Sequence, residues 1–121
     1  MAATEITNTV LKRNEAKAMP TAATVAKGDG ALVTFDKDDQ KILLLLKNNT
    51  TATHTAVIKA GNGLQGVSDL EVTLDGSAEA CVVVESGRFK NVSGANKGKV
   101  NIVSKDTTTG TQIEVRAIVL P

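Results

Sequence analysis

Apolar positions recur along most of this chain with a period of two. Ala31, Val33 and Phe35 follow that spacing, as do Leu70, Val72 and Leu74. Val100 and Ile102 flank Asn101, and Ile113 and Val115 flank Glu114. A side-chain period of two describes strands with one face buried. Two runs lack the alternation: Ile42–Leu46, and Val82-Val83-Val84. Either reads as a central strand covered on both faces. Leucine also favours helix, but the first run has five residues between Asp38-Asp39 and Asn48-Asn49, which favours a strand. Turn signals separate the segments at Gly28-Asp29-Gly30, Asn48-Asn49, Asp75-Gly76, Ser86-Gly87 and Thr109-Gly110.

The pattern predicts seven or eight strands, near 4–11, 31–36, 42–47, 54–60, 70–74, 80–85, 99–104 and 112–119. Short strands at this spacing predict an all-β fold, an antiparallel β-sandwich of immunoglobulin-like or jelly-roll-like type. The expected core comprises Ile42, Leu44, Val72, Leu74, Val82, Val84, Val100, Ile102 and Val115. No stretch keeps an amphipathic helical period. The nearest, Val10 to Met19, is mostly polar and is stopped by Pro20. Residues 13–30 are rich in Ala, Thr and Lys. Residues 1–28 therefore read as an N-terminal arm or edge segment, with little to bury, and 29–121 as the sandwich domain. Ile6 and Val10 suit an edge strand.

A length of 121 residues fits one domain with a core of its own. Net charge is +1, so nothing draws the whole chain toward nucleic acid or an anionic membrane. Phe35 and Phe89 are the only aromatic residues. That shortage argues against base stacking and against sugar stacking, and less strongly against a small-ligand pocket. The start Met1–Glu5 shows no basic region followed by an apolar core, and no apolar run approaches a membrane span. Synthesis and folding in a cytosol are expected.

Candidate chemistry is sparse. Cys81 lies in an apolar run and reads as a small buried hydrophobe. His54, the only histidine, reads as an exposed strand-edge residue, and one His with one Cys cannot build a zinc site. Ser and Asp are present, but no Gly-x-Ser-x-Gly elbow supports a triad. Asp36, Asp38 and Asp39 read as a solvated turn, with calcium as the sharper alternative. Gly61-Asn62-Gly63-Leu64-Gln65-Gly66 matches G-x-G-x-x-G, yet a strand follows where dinucleotide binding needs a helix. Its glycines read instead as positive-φ positions in a tight loop. No enzyme, cofactor or metal is expected.

Charge is segregated. From Ala60 to Gly87 there are acids and no bases; from Arg88 to Lys105 there are bases and no acids. Cross-strand pairing on a solvated face accounts for this, as does a dipolar surface meeting different neighbours. The stretch Ser86–Gly94 sets Phe89 between Arg88 and Lys90. Phe89 either plugs the end of the core in a bulged hairpin or touches a partner. Arg88, Phe89, Lys90, Asn91, Lys97 and Lys99 form the candidate partner-binding set, because binding residues concentrate in such loops.

Lys59–Gly66, Asp69-Leu70, Glu85–Gly94 and Lys97–Val100 carry a family resemblance. From about Val57 to Ile102 the chain resembles small virion structural proteins of tailed bacteriophages and prophages, of the capsid decoration or cement type. The resemblance implies a β-sandwich without catalytic groups, made in the host bacterial cytoplasm and placed on the capsid surface. It implies the phage major capsid protein as partner, self-association on the capsid lattice, and neither nucleic acid nor membrane. A tail or baseplate component and an immunoglobulin-like carbohydrate-binding module are the competing readings.

Overall fold

The protein is described from a computed structural model covering residues 3–25, 29–36, 38–106 and 112–121. The expected turns at Gly28 and Thr109-Gly110, and Lys37 beside the acidic knot, lie outside these residues.

Among the described residues ten strands form in chain order: β1 (Thr4–Ile6), β2 (Asn8–Val10), β3 (Ala23–Thr24), β4 (Ala31–Thr34), β5 (Ile42–Asn48), β6 (His54–Ile58), β7 (Leu70–Leu74), β8 (Glu79–Val82), β9 (Lys99–Ser104) and β10 (Ile113–Val119). A single helical turn, α1 (Ser86–Phe89), and a 3-10 turn at Asp39–Lys41 complete the elements. One sheet runs β1-β4-β9-β6-β7 and the other β2-β10-β5-β8, with β3 also paired to β10. The fold is the all-β sandwich that the period-two pattern predicts.

Strands β3 to β10 follow jelly-roll topology: β3-β10-β5-β8 in one sheet, β4-β9-β6-β7 in the other. Only β6 to β7 is a hairpin within one sheet; every other link among these eight crosses between sheets. The first two strands depart from the antiparallel expectation. β1 pairs parallel with β4, and β2 pairs parallel with β10. The single strand expected over 4–11 is therefore two, broken at Thr7, where the chain leaves one sheet edge for the other. Ile6 and Val25 are buried, so the N-terminal segment contributes to the core. Between them, residues 12–19 are exposed.

The core fills the space between the sheets. Phe35, Ile42, Leu44, Leu46, Ile58, Val100, Ile102, Ile113 and Val115 are fully buried. Of the expected core, Val72 and Val82 are only partly buried, because β7 and β8 are the outermost strands of their sheets. The same edge position corrects two further expectations. Cys81 is exposed, on the outer face of β8, and Val83 is 53% exposed just beyond it. Strand β5 alternates buried and half-buried positions, so only its inner face is sealed. His54 is half-buried at the start of β6, opposite Leu74, and is not a fully exposed edge residue.

Candidate partner-binding surface

Three connections meet at one end of the sandwich: 35–41, 59–69 and 83–98. The first supplies braces. The Asp38 carboxylate accepts from Gln40 N–H (3.0 Å), and Asp39 accepts from Ser86 N–H (2.7 Å), fixing the start of α1. Two of the three carboxylates of the acidic knot, Asp38 and Asp39, therefore serve as hydrogen-bonded braces. Among the described residues no group of three His, Cys, Asp or Glu side chains is placed to hold a metal ion.

The other two loops are stitched together. Gly61 N–H donates to Arg88 O (2.9 Å), and Val92 N–H donates to Asn62 Oδ1 (2.8 Å). Asn62 Nδ2 donates in return to Ser93 O (3.0 Å). Arg88 reaches back to Ser68, with Nη2 to Oγ at 2.7 Å and Nε to the carbonyl at 3.3 Å. The glycine motif now has a different explanation from the expected one. Gly61, Gly63 and Gly66 do not have positive φ. A Cβ at Gly61 would overlap the Lys90 carbonyl, and one at Gly66 would overlap the carbonyl of Gly61. These positions need glycine for close backbone approach. Positive φ belongs to Gly94 and Gly98, in the second loop.

The six candidate residues divide by role. Phe89 is 3% exposed and plugs the end of the core, which removes it as a contact. It does so from a helical turn rather than a hairpin bulge. The Arg88 guanidinium stands 4.8 Å from its ring centroid, and its Nε and Nη2 donate to Ser68. Asn91 folds back on the Lys99 carbonyl (3.2 Å), and Lys99 pairs with Glu5 (2.7 Å). Lys90 and Lys97 have no hydrogen-bonding or ionic side-chain partner among the described residues. They border a shallow groove of about 330 Å³ whose wall includes Ser86, Asn91, Val92 and Gly98.

The sequence reading missed the apolar part of this end. Leu64 is fully exposed, Val67 is 80% exposed and Val92 is 56% exposed. The available signal was two aliphatic residues inside a glycine-rich loop, outside any strand period. One pair joins the two segregated stretches, Lys105 with Glu71 (3.1 Å), while Glu79 of the acidic stretch pairs instead with Arg116 (3.8 Å), beyond the basic one.

Two carboxylates that brace this end have lowered pKa values. Asp39 is held below its ordinary 3.8 chiefly by the Ser86 N–H, and Asp69 chiefly by the Ala60 N–H, with help from Lys59. A depressed folded-state pKa contributes stability above the unfolded value, and that stability is lost as pH falls through the depressed range. Acidification below about pH 4 should therefore loosen these loops before the core. Protection factors, corrected for the pH dependence of intrinsic exchange, should fall at Ser86 and Ala60 while Leu44 and Ile102 stay protected. Simultaneous loss of protection would refute the local brace.

Comparison with family models, with curated proteins and with solved structures returned no match.

Proposed function

We propose that this chain is an accessory virion protein of a tailed phage, a decoration protein that binds the outside of the head and strengthens contacts between capsomers. The observation that carries this reading is spatial. The segments bearing the resemblance, 59–66, 69–70, 85–94 and 97–100, come from two separate stretches of sequence yet build one cross-braced end of the sandwich. Segments that meet in a loop surface suit recognition, and binding residues favour loops held by a rigid scaffold. The major capsid protein is the proposed partner. Synthesis in the host cytoplasm and display on the capsid surface follow from that role.

Such a protein works by binding and needs no catalytic group or cofactor. Repeated copies on a lattice hold firmly even when each contact is weak, and contacts between neighbouring copies would add to this. Jelly rolls serve in capsid and lectin domains alike, so the fold alone does not choose between them. Both phenylalanines are buried, which leaves a sugar ring no aromatic face among this chain's residues.

Electron microscopy of particles with and without this gene tests the reading. Extra density should stand on the outer head surface and vanish on deletion, and the deleted heads should rupture at lower temperature. Density confined to the tail would overturn the head assignment.

A further inference from the structure

We infer that the groove between α1 and the 91–98 loop is a docking site for a segment of a partner protein carrying a carboxylate beside an aliphatic side chain, with Leu64 and Val67 contacting the partner alongside. The inference rests on the reading that this end meets another virion protein. It does not depend on that protein lying in the head.

Charge indicates the acid. Lys59, Lys99, Lys105 and Arg116 each have a carboxylate within this chain. Lys90 and Lys97 have none among the described residues, as is also true of Lys12, Arg13, Lys17, Lys41 and Lys47, but Lys90 and Lys97 line one groove together. Two ammonium groups beside one groove attract a carboxylate and fix its register. The aliphatic component follows from Val92 in the groove wall and from Leu64 and Val67 on the adjoining loop, all exposed. Hydrogen bonds on both sides of Asn62 hold these loops in place, so little ordering is lost on docking.

The backbone beside the groove is largely engaged: Lys90 N–H is used on Ser86 O, Asn91 N–H on Lys99 O, Val92 N–H on Asn62 Oδ1, Lys97 N–H on Gly94 O, and Gly98 N–H on Asn91 O. Side chains rather than an added strand therefore carry the recognition. An anionic membrane is a poorer fit. Two free lysines and three aliphatic side chains, without an exposed aromatic, fall short of interfacial anchoring.

The test uses the full chain and three paired variants: Lys90→Glu with Lys97→Glu, Leu64→Ser with Val67→Ser, and Lys90→Arg with Lys97→Arg. All four side chains point away from the core, so each variant should keep the wild-type thermal midpoint. Probes are purified heads and purified tails of the encoding phage, stripped of this protein, and vesicles of equimolar phosphatidylcholine and phosphatidylserine. Charge reversal and the serine pair should each weaken particle binding by about tenfold or more, while the arginine pair retains it. Loss on heads supports the groove and the head placement together. Loss on tails supports the groove and removes the head placement. Undiminished binding by the variants removes the groove and leaves placement standing. Absence of wild-type binding to either particle, with or without vesicle binding, overturns the inference.

Discussion

Leu44→Ala is expected to lower unfolding stability by about 2–5 kcal/mol, the range for deleting a large aliphatic group from a packed core. Leu44 is fully buried in the middle of β5. Its register neighbours are Ala117 on β10 and Val82 on β8. The methyl of Ala117 is too short to fill the vacated space, and the strands on either side fix the backbone. The cavity therefore persists. A domain of this size has about 5–15 kcal/mol in total, so the loss is a large fraction. Urea unfolding should show a lower midpoint with an unchanged slope. Leu43→Ala, on the half-buried outer face opposite Ile118, supplies the contrast and should cost about 1 kcal/mol. Equal losses at the two positions would mean that the inner face is not the sealed one.

Asn48 is expected to be as sensitive, for a polar reason. It is completely buried at the end of β5. Its Nδ2 faces the carbonyls of Ala52 (2.6 Å), Leu74 (3.1 Å) and Asp75 (3.2 Å). Its Oδ1 accepts from Thr50 N–H (3.0 Å) and Thr50 Oγ1 (2.8 Å). One amide thus ties the 49–53 loop to the end of β7. Asn48→Leu would strand several of these groups, at about 1–3 kcal/mol for each left buried and unpaired. Asn48→Asp keeps the shape but sets a carboxylate against carbonyl oxygens. Only its protonated form can donate, so its folded-state pKa must lie above the unfolded value. The defect should then be smallest below the unfolded pKa and grow as pH rises through the folded one. The urea-midpoint gap to wild type should narrow as pH drops from 7 toward about 4. A gap independent of pH would show that this amide is not the tie described.

Both predictions depend on details that alternation does not encode. The period of two places seven of the ten described strands closely, β4 to β10, because burial of one face leaves that mark on the residues themselves; β3 falls outside the expected strands. Pairing order leaves no such mark. Ile6 and Val10 read as one strand, yet Ile6 belongs to one sheet and Val10 to the other. Val82-Val83-Val84 reads as covered on both faces, but an edge strand leaves Cys81 and Val83 outside. Asn48 resembles any turn asparagine until β5 is seen to run through it. At the candidate site, the loops and the free lysines were legible from composition. The fate of Arg88 was not, since nothing local reveals Ser68; for Phe89 the core plug is one of two readings, and the core behind it decides between them. The glycines were legible as necessary, but the reasons are close carbonyls, that of Lys90 on another loop for Gly61 and that of Gly61 itself for Gly66.

The parallel pairing of β2 with β10 has a mechanical consequence. Ala117 to Val119 run beside Asn8 to Val10 in the same direction, and Leu11 N–H adds a bond to Val119 O (2.8 Å). A pull that draws Thr4 and Pro121 apart therefore acts along both strands in opposite senses. It loads those hydrogen bonds in shear, all together, rather than peeling them one at a time. β1 beside β4 adds a second parallel pairing close to the same end of the chain. Tension between the two ends meets this clamp before it reaches the core.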